Sequence, residues 1–250
     1  MKKLTVFCAA ACLAASAAAQ NHPDLHEVLD RQKGRNLIEI PKGTYTLDVR
    51  NNGPYKFHNL TDVHINGNGS TVICNNQEQA FSFYNCVRVE LRDLTIDYDP
   101  LCFTQGEITA VAEDGSWFDV RIDEGYPVTG LAANRVQFYD PQTRLLKRNS
   151  ITTYTSNYSA LKQLGHNLFR AVKNGTWSAG EQVGDLVVMD VKTDKPNAGV
   201  HTVMLNKCYN TKLENVTVYG SNTFSFFEKE GYANEYRNCV VDLSLIHISE

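Results

Sequence analysis

The 250-residue chain is 42% hydrophobic and 21% charged, with 16 Gly and 7 Pro. That balance excludes a disordered or collagenous chain and leaves enough length for a sizeable core. The formal charge is −4, from 24 Lys+Arg against 28 Asp+Glu, and no basic run could track a phosphate backbone, so no nucleic-acid partner is expected.

The first segment, MKKLTVFCAAACLAASAAAQ, places two lysines before a short run of apolar and small residues. Ala17-Ala18-Ala19 follows as an A-x-A cleavage pattern. Residues 1–19 therefore read as a signal peptide, which makes the expected product exported, to the periplasm or the outside of a bacterial cell. Ala9-Ala10-Ala11 ahead of Cys12 lacks the large aliphatic residue of a lipobox. No later apolar run is long enough to span a bilayer, so no membrane span is expected after cleavage.

Next, Leu25, Val28 and Leu29 fall at i, i+3 and i+4 within Pro23 to Gln32, the pattern of a short amphipathic helix with Pro near its first turn. The stretch Asn36-Leu-Ile-Glu-Ile-Pro-Lys-Gly-Thr-Tyr-Thr-Leu47 reads as a strand. Beyond it the chain repeats itself. Phe57-His-Asn-Leu-Thr-Asp-Val-His-Ile65 matches Phe83-Tyr-Asn-Cys-Val-Arg-Val-Glu-Leu91 at an offset of 83 − 57 = 26. An offset of 122 carries Cys86 onto Cys208, Leu91 onto Leu213, Asp93 onto Asn215 and Thr95 onto Thr217. A further 23 residues carry that unit onto Glu235-Tyr-Arg-Asn-Cys-Val-Val-Asp242. Each unit holds short β-branched strands between Asn, Asp or Gly corners, with Asn59, Asn85 and Asn206 as corner candidates. Stacking such units buries a continuous column of Val, Ile, Leu and Cys, as a parallel β-helix requires. A leucine-rich repeat would place several leucines per unit where these units carry Val, Ile and Thr.

Between Asp99 and Thr202 the repeat vanishes. Alternating strands take its place at Gly106–Val111 and Trp117–Ile122, with Asp114-Gly115 as their hairpin turn. More are expected at Arg135–Tyr139, Ile151–Tyr158, Asn167–Val172 and Asp185–Val191, with turns at Asp140-Pro141 and Asn174-Gly175. The fold expected is all-β: a right-handed parallel β-helix with an inserted antiparallel β-barrel or sandwich. Its parts are a cap and first coils over 20–99, the insert over 100–201 and resumed coils over 202–242. The last eight residues, 243–250, resemble the translation of a sequencing adapter, so native sequence is expected to stop near Asp242.

The entry helix and the I-P-x-G-x-Y segment at Ile40–Tyr45 resemble the first coil of pectate-lyase-like β-helix proteins, in which a small helix caps the solenoid. The junction Asp97-Tyr-Asp-Pro-Leu-Cys-Phe-Thr-Gln-Gly-Glu-Ile108, with a barrel set into a β-helix, is similar to Bacteroides-type carbohydrate enzymes, most of all the exo-α-galactosidases of glycoside hydrolase family 110. The resemblance implies an inverting, metal-independent hydrolase that needs no cofactor. It also implies catalytic aspartates on coils beyond Asp242, and hence an inactive chain when those coils are missing.

Hydrolysis with inversion needs two carboxyl groups flanking the scissile bond. Two pairs have the i, i+2 spacing that shares a strand face: Asp97 with Asp99, and Glu228 with Glu230. They are the candidate catalytic residues. The same residues also suit a turn (Asp-Tyr-Asp-Pro) and a solvated edge (Glu-Lys-Glu). Trp117, Tyr126, Trp177, Phe224, Phe226 and Phe227 could stack on sugar rings or fill the core. The scattered histidines lack metal spacing, so no metal is expected. Cys74, Cys86, Cys102, Cys208 and Cys239 remain after cleavage; their odd number and apolar contexts favour buried thiols. The expected function is an exported glycan-degrading hydrolase acting on an oligosaccharide or polysaccharide with α-galactoside-type or related linkages. A polysaccharide lyase and a non-catalytic glycan-binding scaffold are the alternatives, since fold alone guarantees no chemistry.

Overall fold

The computed structural model describes residues 22–191, 201–221 and 223–242. The proposed signal peptide and the 243–250 segment lie outside the described residues. A short helix α1 (Leu25–Asp30) opens the fold, with Asp24 as its N-cap accepting from the His26 amide at 2.9 Å. It is shorter than the periodicity suggested, and it buries Leu25 and Leu29 over the first coil. This covers an end that would otherwise expose unpaired strands.

The strands follow as β1 (Leu37–Glu39), β2 (Thr44–Leu47), the helical turn α2 (Val49–Asn52), β3 (Tyr55–His58), β4 (Thr61–Cys74), β5 (Phe81–Tyr84) and β6 (Val87–Tyr98). An antiparallel set comes next: β7 (Phe103–Val111), β8 (Trp117–Ile122), β9 (Leu131–Tyr139), β10 (Thr153–Tyr154), β11 (Tyr158–Gln163), β12 (Leu168–Lys173) and β13 (Leu186–Val191). The chain then returns with β14 (Val203–Asn206), β15 (Lys212–Tyr219), β16 (Phe226–Lys229), β17 (Glu235–Arg237) and β18 (Val240–Asp242).

The first and last groups build a parallel β-solenoid. One sheet runs β1-β4-β6-β15-β17 with β2 on β4 and β18 on β15; the other runs β16-β14-β5-β3. The repeat offsets are the structural registers. Phe57 pairs with Phe83, Val63 with Val89 and Ile65 with Leu91. Leu91 pairs with Leu213 and Thr95 with Thr217. Inward residues form columns, and the Phe57 and Phe83 rings stack at 4.7 Å. Each such fully buried ring stabilises the fold by about 2–3 kcal/mol.

Three corners turn each coil, and the same backbone conformation recurs at each level. Asn59, Asn85, Lys207 and Glu230 form one column of positive-φ residues; Asp62, Arg88, Asn210 and Ala233 form a second; Asp93, Asn215 and Asn238 belong to a third. Asn tolerates this left-handed region and bonds its neighbour: Asn85 Nδ2 donates to Asn59 Oδ1 at 2.8 Å and Asn215 Nδ2 to Asp93 Oδ1 at 2.8 Å. Asn206 is not a corner. It ends β14 opposite Tyr84 and Lys229, and Lys207 makes the turn one residue later.

The intervening strands form one antiparallel sheet, β10-β9-β13-β7-β8-β12-β11, over a separate core that includes Phe118, Val136, Phe138 and Met189. The predicted hairpin is present, with Gly115 in its turn at φ 72°. The strand expected over Ile151–Tyr158 is not. Only Thr153–Tyr154 pair, the chain then makes a 3-10 turn at Thr155–Asn157, and β11 starts at Tyr158. Asn157 breaks the run because its Oδ1 accepts the Tyr154 amide at 2.8 Å, a local bond that competes with the ladder.

Candidate functional site

Asp97 sits on β6 between the inward residues Ile96 and Tyr98, on the outer face of the solenoid. It lies opposite Ile73 of the coil below. Its Oδ1 accepts the Tyr98 amide at 2.7 Å. Gly220, at φ 65°, closes over it; a Cβ there would lie 3.8 Å from Asp97 Oδ1 and 3.7 Å from Leu101. This cover raises the Asp97 pKa by desolvation, the Tyr98 amide opposes the rise, and the charge of Asp99 adds to it. Asp99 lies just past the strand end, exposed, its amide donating to Cys74 O at 3.0 Å, before a cis peptide to Pro100. The structure therefore places these two predicted residues close together.

Asp190 is the residue the spacing argument missed. It is the penultimate residue of β13, opposite Phe103, where the pairing of β13 with β9 slips between Met189 and Val191. Such a bulge re-aims a side chain, and bulges recur beside active sites. The Asp190 Oδ1 is buried and has no hydrogen-bond partner. Burial lifts this carboxyl to about 7, against the opposing charge of Arg135 on β9. Cys102 lies within electrostatic reach of both Asp97 on the solenoid and Asp190 on the antiparallel sheet. Burial pushes that thiol well above its ordinary range, and the charges of Cys74, Asp97 and Asp190 add to the effect. The only sequence cue to Asp190 was an acid interrupting an otherwise apolar strand end, Val-Val-Met-Asp-Val.

Glu228 and Glu230 do not share a groove. Glu228 stands opposite Leu205 in the inward column of the last described coil, accepting from Asn234 Nδ2 at 2.8 Å. Glu230 is a left-handed corner residue, ion-paired with Lys229 at 3.2 Å and Lys207 at 3.8 Å. The i, i+2 rule fails here because the strand ends at Lys229, between them.

Of the candidate stacking residues, Trp117 has the Arg170 guanidinium 3.5 Å from its ring centre and Trp177 has Lys173 Nζ at 4.6 Å. Tyr126 and Phe226 pack against the core. Phe224 and Phe227 differ. With His201 they form a cluster of rings: His201 stacks on Phe227 at 4.0 Å and 22°, and Phe224 remains 39% exposed. Burial lowers the His201 pKa, favouring the neutral ring. The adjacent Thr202 meets Tyr98 hydroxyl to hydroxyl at 2.9 Å, tying this strand to the one that carries Asp97.

Among the described residues no group of three His, Cys, Asp or Glu is placed to hold a metal, and no helix is long and apolar enough to cross a membrane. No family model and no curated protein matches the chain.

Proposed function

We propose that the protein is an exported glycan-degrading enzyme, a glycoside hydrolase acting on α-galactoside-type or related linkages, with Asp190 and Asp97 as its acid–base carboxylates. The observation that carries this reading is the Asp190 carboxyl, with one oxygen buried and unpartnered and a pKa near neutrality, and with Asp97 within electrostatic reach of the same Cys102 thiol. A carboxyl titrating near pH 7 is half protonated at neutrality and suits proton donation to a leaving oxygen; Asp97, with Asp99 beside it, would supply the base that activates water. Asp190 also supports a location at the junction rather than on coils beyond Asp242. Parallel crossovers are right-handed in about 98% of cases, which favours a right-handed solenoid of the pectate-lyase-like type. The separate core around Phe118 favours reading the antiparallel sheet as an inserted barrel or sandwich domain.

Hydrolysis of an aryl α-galactoside, followed with Asp190→Asn, Asp97→Asn and Asp99→Asn, tests the assignment. The Asp190 variant should lose about 10²-fold or more in kcat and the pH limb near 7. Turnover that survives in both Asp190→Asn and Asp97→Asn would remove the assignment. A second reading, a non-catalytic glycan-binding solenoid, is favoured by the Phe224–Phe227–His201 cluster. It expects glycan binding without turnover, weakened by Phe224→Ala.

A further inference from the structure

Away from the junction, between the end of α1 and the first coil, lies a cavity of about 290 Å³. This is near the small end of the ~300–1,000 Å³ that ligand sites occupy, room for about one ring. Ile38 and Leu60 give it an apolar side. The charged residues that line it are Lys33, Arg35 and Lys56, and none of the described lining residues is acidic. Lys33 is neutralised by Asp30 at 2.8 Å. Arg35 and Lys56 have no ion-pair partner among the described residues, so two positive charges border the cavity uncompensated.

The backbone adds donors. β3 is the edge of its sheet, paired on one side only, with β5. Tyr55 and Asn59 direct their amides to Ala80 O and Tyr84 O of that neighbouring coil, each at 2.9 Å. By strand alternation the amides of Lys56 and His58 point the other way, where no strand pairs. The local field is also positive at His58, whose pKa falls through burial and then through the charge of Lys56. The walls are set without a ligand: Gln32 Nε2 donates to Glu39 O at 2.9 Å, and Gln32 Oε1 accepts the Glu39 amide at 3.0 Å, locking α1 to β1.

A guanidinium, an ammonium and two strand-edge amides are more donors than the two oxygens of a carboxylate can use. A tetrahedral ester presents three terminal oxygens to these donors, with one negative charge in a sulfate monoester and close to two in a phosphate monoester. We propose that this cavity is an oxyanion site for a sulfate or phosphate monoester carried on a sugar-sized body, with Arg35 and Lys56 as its charge partners and the amides of β3 as its fixed donors. The ring would lie against Ile38 and Leu60. The site does not depend on Asp97 or Asp190.

The test titrates galactose 6-sulfate, galactose 6-phosphate, galacturonate and galactose into the protein, reading backbone amide shifts and binding heat. Expected are saturable shifts at Lys56 and His58 with at least one ester, weakening as salt rises, and no comparable binding of galactose. The tighter of the two esters identifies the oxyanion. Arg35→Ala combined with Lys56→Ala, both at exposed positions, should weaken ester binding by about tenfold or more at an unchanged melting temperature. Asp190→Asn should leave ester binding intact even where it abolishes hydrolysis, which separates failure of this site from failure of the hydrolase reading. Absence of saturable ester binding, galactose or galacturonate binding as tightly as the esters, or undiminished binding in the double variant would each overturn the proposal.

Discussion

The thiols of Cys86 and Cys208 interact across one coil boundary, where the Tyr209 amide donates to Cys86 O at 2.9 Å, although 208 − 86 = 122 residues separate them along the chain. The contact lowers the pKa of Cys86 and raises that of Cys208. Cys86 Sγ also donates to Phe57 O at 3.1 Å, so the pair extends the inward column downward. All five described cysteines are free, four of them buried and Cys239 half-buried. Mass mapping under non-reducing conditions should return five unmodified thiols. Cys86→Ala and Cys208→Ala should each cost about 1 kcal/mol in urea unfolding, and the double variant less than their sum. Strict additivity would mean that the thiols do not touch.

Asp190 makes stability depend on pH in an unusual direction. Its folded-state pKa, about 7, lies above the ordinary 3.8, so between those values the folded protein binds more protons than the unfolded chain. Stability from this group is therefore present at acid pH and lost as pH rises towards 7. Asp190→Asn should stabilise the fold at pH 8 relative to the parent, and the gain should disappear below about pH 4. Thermal melts of both proteins across that range measure it; a gain independent of pH would contradict the raised pKa.

Lys173 and Glu181 form an ion pair with both side chains fully buried. Lys173 Nζ also donates to Trp177 O at 2.8 Å, and Glu181 Oε2 accepts the Ala179 amide at 2.6 Å. Lys173→Met leaves a buried carboxylate without its cation and should cost about 3–5 kcal/mol; adding Glu181→Gln should recover much of that. Urea unfolding of the three variants checks this, and equal loss in the single and double variants would argue against coupling.

Two substitutions probe the backbone. Ala233 holds a left-handed corner at φ 56°, so Ala233→Gly should raise stability by up to about 1 kcal/mol. In β7, a Cβ on Gly106 would come 2.1 Å from Arg121 O on β8, so Gly106→Ala should instead lower it and loosen that hairpin. Opposite shifts in melting temperature are the expected outcome.

The solenoid was legible because each level repeats the same physical demands: an inward apolar residue, an Asn or Asp able to turn left-handed, and a fixed distance to the next. That is why Leu91 and Leu213 could be paired from the sequence alone. The same reasoning placed the corner at Asn206 instead of Lys207, since Asn is the residue expected in that conformation and the actual corner carries a side chain that merely tolerates it. At the candidate site, Asp97 and Asp99 were visible as a local pair. Asp190 was not, because it stands out only through a shift in strand pairing and the burial of its Oδ1. The i, i+2 argument does not carry from Glu228 to Glu230, because alternation says which residues share a face only while the strand lasts, and it ends at Lys229.

The antiparallel sheet ends where it begins. Asp190, at its last strand, is paired with Phe103 at its first, so the roughly hundred-residue excursion leaves and returns at one place. The entropy of closing a loop grows with the logarithm of its length, and long-range pairings are slow to form for the same reason. Once β7 and β13 are joined, the chain on either side of the sheet is held together at the Phe103–Asp190 pair. The sheet is therefore expected to act as a clasp during assembly: variants that loosen the β7–β13 pairing should slow the docking of β14 and β15 more than they weaken the finished column.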